Sequence, residues 1–224
     1  NISITGCSGT CQSDLNLPPT IIGLPVVSIA NNAFREQLLT SVTIPDGLTS
    51  IGQSAFNTNN LASIVIPDSV SSIGDYAFFD NALLASVALP KGLGSIGYAV
   101  FYDNALTSVD IPNSVTSIGA YAFRGNNLTE MVIPDSVVSI GEYAFAVNET
   151  LVSVALPNGL TTIGVGIFSG NGLTSIEIPD NVTSIGDYSF FENEQLTSVV
   201  LSNSLESIGF AAFYKNALTS IALP

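Results

Sequence analysis

Apolar residues recur along this chain with a period of 22 or 23 residues, and inside each period they keep one order. A stretch such as Leu106-Thr107-Ser108-Val109-Asp110-Ile111-Pro112 opens the unit, Val115-Thr116-Ser117-Ile118-Gly119 continues it, and Ala122-Phe123 with Asn126 closes it. The proline slot falls at Pro45, Pro67, Pro90, Pro112, Pro134, Pro157, Pro179 and Pro224, with Ser202 in the one place where proline is missing. Eleven residues after each of the first eight slots stands a phenylalanine: Phe56, Phe78, Phe101, Phe123, Phe145, Phe168, Phe190 and Phe213. Phe34 precedes them, so nine of the twelve Phe form one column. Three residues further on comes Asn in every unit but the first, which has Gln37, and the extra residue of a 23-residue unit always falls between that Asn and the next Leu.

A fixed period of this length is the signature of stacked repeats. Within Leu106 to Ile111, alternation turns Val109 and Ile111 inward and Ser108 and Asp110 outward, the pattern of a short half-buried strand. Proline ends it, because it has no N–H for a ladder. Ser117-Ile118 then reads as a second brief extended piece, and Gly119 to Phe123 as a single helical turn that drives the ring inward. No unit can bury its apolar face alone, so stacking must build the core and the Phe, Ile and Leu columns become continuous spines. A parallel solenoid of about nine coils, strands about 4.8 Å apart, follows as one elongated domain. The Asn column is expected to satisfy buried turn amides and carbonyls rather than to do chemistry.

Composition narrows the function. The chain has 18 Asp plus Glu against 4 Lys plus Arg and a net charge of −14, yet only 10% of it is charged and 46% is apolar. That is too apolar for disorder, and no apolar run approaches the roughly 20 residues of a membrane-spanning helix, so no membrane insertion is expected in this segment. With only Arg35, Lys91, Arg124 and Lys215 to meet phosphates, nucleic acid is excluded as a partner. The absence of His removes Ser-His-Asp and Cys-His nucleophile systems and imidazole metal ligation. No cofactor motif stands in the sequence.

The unit Leu-Thr-Ser-Val-x-Ile-Pro-Asp-Ser-Val-x-Ser-Ile-Gly-x-Tyr-Ala-Phe, read across Ile64 to Phe78 and Met131 to Phe145, resembles the BspA-like class of leucine-rich repeats. The resemblance covers roughly residues 15 to 224. It implies a leucine-rich repeat solenoid, and it implies surface or secreted proteins of bacteria and some protozoa that adhere to host or matrix proteins. Many members of that class carry Cys where this chain has its Asn column.

The ends depart from the period. Residues 1–33 are expected to form an N-terminal hairpin, starting at Ile2-Ser3-Ile4, and a capping coil continuous with the array of residues 34–224. Cys7 and Cys11 lie in the turn-rich segment between. A local disulfide in an oxidising compartment is the favoured reading, and two free thiols are the alternative. Leu218 to Pro224 starts a further coil, with Ile221 and Leu223 facing the stack, so the natural protein is expected to continue.

Two surfaces are candidates for binding. On the strand face the inner outward column is almost all Ser, including Ser108, with Glu130 as its exception, and the second column varies. Asp110, Glu130 and Glu177 make an acidic focus there, with Val132 beside them, suited to an extended protein or glycan partner. The other surface is aromatic: Phe79 and Tyr102, and Phe191 and Tyr214, directly follow spine Phe residues in neighbouring coils and can stack on a sugar ring or anchor an interface. The expected function is a non-catalytic extracellular or cell-surface adhesion module. A spacer for a further C-terminal domain is one alternative, and a carbohydrate-active enzyme using Asp110 and Glu130 another.

Overall fold

The computed structural model describes residues 1–222. Most coils follow the sequence order: a three-residue strand such as Ser63–Val65, a two-residue strand such as Ser72–Ile73, and a turn segment around the spine Phe. The repeat length sets the register, so Ser pairs with Ser and Ile with Ile from coil to coil, as in Ser95↔Ser117 and Ile118↔Ile140. Pairing between coils is parallel.

The core is a stack of identical side chains. From Phe34 to Phe213 successive rings lie 5.2 to 5.7 Å apart with interplanar angles of 3 to 14°. Phe34 through Phe190 are fully buried. The Ile of the second strand and the Leu that opens each coil fill the space around them. Gly119 follows its Ile because a Cβ there would lie 2.6 Å from the Gly97 carbonyl carbon, so only hydrogen fits between adjacent coils.

The expected helical turn is not formed. Around Phe123 the N–H groups of Tyr121, Phe123 and Gly125 donate to the carbonyls of Glu142, Ala144 and Ala146 in the next coil, at 2.9, 2.8 and 3.0 Å. The intervening Ala122 and Arg124 close tight turns onto Gly119 and Tyr121. Tyr121 and Gly125 have φ of 60° and 67°. A helix needs every φ negative and aims every N–H along its own axis. Left-handed φ two residues either side of the Phe instead aims alternate N–H groups along the solenoid, which gives the coil a third bonded edge.

The N-terminal expectation is also corrected. Ile2–Ile4 makes no hairpin; it runs parallel to Leu24–Ile29, with Ser3↔Ser28 and Ile4↔Ile29. Ser3-Ile4 carries the Ser-Ile pair of the second strands, all but Thr162–Ile163, so it adds one more rung to that ladder. The antiparallel hairpin joins Thr20–Ile21 to Leu24–Ile29 through Ile22 and Gly23, both at positive φ. Cys7 and Cys11 are joined by a disulfide in this cap. At the other end residues 220–222 form no strand, Ile221 is exposed, and Leu223 and Pro224 lie outside the described residues. Among the described residues no helix is long and apolar enough to cross a membrane.

Candidate functional site

The first strands pair in twos. Asp14–Asn16 pairs with Ser41–Thr43, Ser63–Val65 with Ser86–Ala88, Glu130–Val132 with Ser153–Ala155, and Ser175–Glu177 with Ser198–Val200. The last three pairs each span a 23-residue step, and each is closed by a bond from the Ile ahead of proline: Ile66 N–H to Ala88 O, Ile133 to Ala155 and Ile178 to Val200, at 3.0, 3.1 and 2.8 Å. Across 22-residue steps this pairing is missing. Val109 is 22 residues from both Val87 and Met131, so residues 108–110 are the one internal first strand, among the described residues, with no ladder partner. The strand expected there is extended chain without a partner.

A seam opens as a result. Thr107 and Thr129 still donate backward to Ala85 and Thr107, at 3.4 and 3.2 Å, which holds the coils together where the strands begin. Beyond that point a concavity of about 440 Å³ lies between the coils, lined by Ser108, Asp110, Asn113, Thr129, Glu130 and Val132. Four of the expected strand-face residues, Ser108, Asp110, Glu130 and Val132, are therefore brought together. Glu177 is not one of them; it lines a separate concavity with Ala155 and Asn158, across the 22-residue step from Val154 to Ile176. Among the described residues none of the three acids forms an ion pair. The ion pairs are Arg35 with Glu36, Lys91 with Asp68 and Lys215 with Glu192, while Arg124 donates to the Tyr102 hydroxyl and lies over its ring.

In the turn segments beside the spine the expected aromatic pairs are present, with ring centroids 5.1 Å apart for Phe79 and Tyr102 and 5.9 Å for Phe191 and Tyr214. They belong to something longer. Tyr76, Tyr98, Tyr121 and Tyr143 stand one above another at 5.1, 5.5 and 5.5 Å, and Phe79 and Tyr102 pack beside them. A side-chain hydrogen bond with Tyr76, aided by partial burial, raises the Tyr98 hydroxyl above the usual tyrosine range. A shorter group of Tyr188, Phe191, Phe210 and Tyr214 lies two coils further on. Next to the longer row, partial burial lifts the Asp103 carboxyl above its ordinary value, Arg124 opposes the shift and the Asp80 charge adds to it.

The sequence matches the family described as BspA type leucine rich repeat region, in six copies over residues 8–129 and 116–224. The chain belongs to the BspA-type leucine-rich repeat family. Among solved structures, a leucine-rich repeat protein from Bacteroides ovatus ATCC 8483 is 32% identical with a TM-score of 0.76, over 98% of this chain and 54% of that one. This BspA-type array therefore spans about half the length of the Bacteroides protein. The T. pallidum leucine-rich repeat protein is 26% identical with a TM-score of 0.57, covering 91% of this chain and 77% of its own. The pneumococcal vaccine antigen PcpA shares the fold at 17% identity and a TM-score of 0.50, over 99% and 84%. No curated protein matches the sequence.

In this BspA-type array the Asn column is structural. Asn126 donates from Nδ2 to the carbonyls of Phe101 and Phe123, and its Oδ1 accepts the Leu106 N–H. Sequence reasoning missed Tyr76, Tyr98, Tyr121, Tyr143, Tyr188 and Phe210. The signal was available: the aromatic stands two residues before the spine Phe, or three before it where the nearer place is alanine, as in Tyr98-Ala99 and Phe210-Ala211.

Proposed function

We propose that this chain is a non-catalytic adhesion module, displayed outside the cytoplasm, that grips a basic protein partner at the strand-face seam. The observation carrying this reading is the concavity between the unpaired residues 108–110 and Glu130–Val132, where two carboxylates that form no ion pair among the described residues stand beside two hydroxyls and an amide. Repeat proteins commonly bind along one extended face, and a lysine or arginine side chain entering such a notch meets charge-assisted hydrogen bonds. A net charge of −14 attracts the same partners at longer range. The Cys7–Cys11 disulfide and the family both support a place outside the reducing cytosol.

The test is a binding screen of basic matrix proteins and lysine- or arginine-rich peptides against the chain and against an Asp110→Ser, Glu130→Ser double variant, with Glu177→Ser as the separated control. Affinity is expected to fall with salt and to collapse in the double variant while Glu177→Ser changes it little. Binding that is indifferent to both changes would overturn the reading in favour of a spacer. Polysaccharide turnover lost with Asp110 or Glu130 would overturn it in favour of an enzyme.

A further inference from the structure

The outer column of the strand face repeats every three coils, whereas the Phe spine beneath it repeats every coil. Thr43, Asp110 and Glu177 hold the first place of this longer unit, Val65, Val132 and Val200 the second, and Ala88, Ala155 and Ala222 the third, all of them exposed. Packing does not impose the unit. The inward residue beside each valine changes from Ile64 to Met131 to Val199, while the outward valine stays. Ladder pairing does not impose it either: Val65 and Val132 lie opposite an alanine in the next coil, but Val200 lies opposite Glu177 in the coil before. The three valines are 68, 72 and 56% exposed, although threonine, equally suited to a strand and better solvated, serves in the same column at Thr43.

We infer that the strand face is a repeated docking surface, three like units in line, for an α-helical partner segment that carries an apolar and a basic side chain once every eleven residues. This rests on the reading that the seam at Asp110 and Glu130 takes a basic protein. Asp110 and Glu177 each stand one coil before an exposed valine and form no ion pair among the described residues, so a cation beside each apolar contact complements the face. The interval selects the partner's backbone. Spine rings are 5.5 Å apart at each of the three steps from Phe78 to Phe145, so the units recur about 16 Å apart along the solenoid. Three turns of α-helix, about eleven residues, advance about 16.5 Å and come back to the same side. An extended chain covers that distance in about five residues, and an odd number turns the second side chain away.

Three synthetic helical peptides are titrated against the whole chain by calorimetry. A unit is eleven residues with one leucine, one lysine a turn away, and alanine and glutamine elsewhere. The first peptide carries one unit followed by eleven residues without leucine or lysine, and the second carries two units. The third carries two units separated by two extra alanines, which turn the second unit about 200° around the helix. Two units are expected to bind about tenfold or more tighter than one, and the third peptide to fall back to the affinity of one. Val65→Ser with Val200→Ser, both at exposed places and checked for folding by circular dichroism, is expected to abolish the gain while one unit still binds at the seam beside Val132. Glu177→Ser should be silent toward one unit and weaken two. Binding of one unit with no gain from the second, a gain that survives the two alanines, or a gain that survives the loss of Val65 and Val200 would overturn the inference and leave the seam reading standing. If none of the three peptides binds, the inference falls, and the screen of basic proteins decides the seam separately.

Discussion

Asn148 donates its backbone N–H to the side-chain oxygen of Asn171 at 2.7 Å, although Asn148 itself receives on its own Oδ1 the N–H of Leu128 at 3.3 Å. The two asparagines occupy equivalent places and differ only in the coil that precedes them. Where a coil has 22 residues, its Leu N–H donates to the next Asn, as Leu61, Leu106, Leu128 and Leu173 do. Where it has 23, the extra residue lets Leu close onto the Asn carbonyl of its own coil, as Leu84, Leu151 and Leu196 do, and the Asn N–H donates instead. The column thus absorbs a one-residue change in length by switching which backbone N–H, that of Leu or that of Asn, its side-chain oxygen accepts.

Replacing Asn126 by Ala would therefore leave the Leu106 N–H and the Phe101 and Phe123 carbonyls short of a partner inside the stack. A loss of about 2 to 4 kcal/mol is expected in urea unfolding. Asn126→Asp should cost at least as much near neutral pH, because a carboxylate can accept from Leu106 but has nothing to donate to the two carbonyls. A cost near that of a surface change would show that the amide is decorative.

Phe123 stacks on Phe101 and Phe145 at 5.5 Å on both sides, fully buried. Phe123→Ala should lose about 3 to 5 kcal/mol, the range for deleting a core aromatic, with the exposed Asn113→Ala as control. Equal melting temperatures in the two variants would refute the spine as the source of stability.

Asp103 gives a pH dependence of unusual sign. Partial burial raises its carboxyl in the folded chain, Arg124 pulls the other way and the Asp80 charge adds to the rise, so the folded state holds the proton more tightly than the unfolded one. Its contribution is fully present below the ordinary Asp value of about 3.9 and is lost as pH rises through the raised value. Asp103→Asn is expected to raise the melting temperature at pH 7 and to change little near about pH 3, below both values. A gain of the same size at both would assign the effect to something other than this proton.

The architecture was legible because the columns are independent readings of one period: Pro112, Ile118, Phe123 and Asn126 each locate the coil, and each agrees with the others. What was not legible is what depends on bonding between coils. Gly119 to Phe123 looks helical by composition, but left-handed φ at Tyr121 redirects its N–H groups to the neighbour, and tyrosine is a residue whose presence argues against that conformation. For the same reason Tyr121 was not foreseen in the aromatic row. Ser108 and Asp110 were placed correctly on the strand face, yet nothing in their own segment says that the strand is unpaired. That follows from residue counts in the coils on either side.

Those counts can be changed. One glycine inserted between Asn127 and Leu128 would lengthen the step from Val109 to Met131 from 22 residues to 23, the length at which Ile66, Ile133 and Ile178 each bond to the next coil. The Asn126 N–H should then donate to Asn148 Oδ1, Leu128 should close onto the Asn126 carbonyl, and Ile111 N–H should reach the carbonyl of Val132. The Ile111 amide, which has no bond in the native chain among the described residues, is expected to gain strong protection from hydrogen exchange while Phe123 and its neighbours keep theirs. Binding of a basic peptide at Asp110 and Glu130 should weaken in the same protein, because the groove between the two strands has been zipped shut with both carboxylates still in place. If Ile111 stays unprotected, coil length does not govern strand pairing. If it becomes protected and the peptide binds as before, the carboxylates act as plain surface charge and the seam itself contributes nothing.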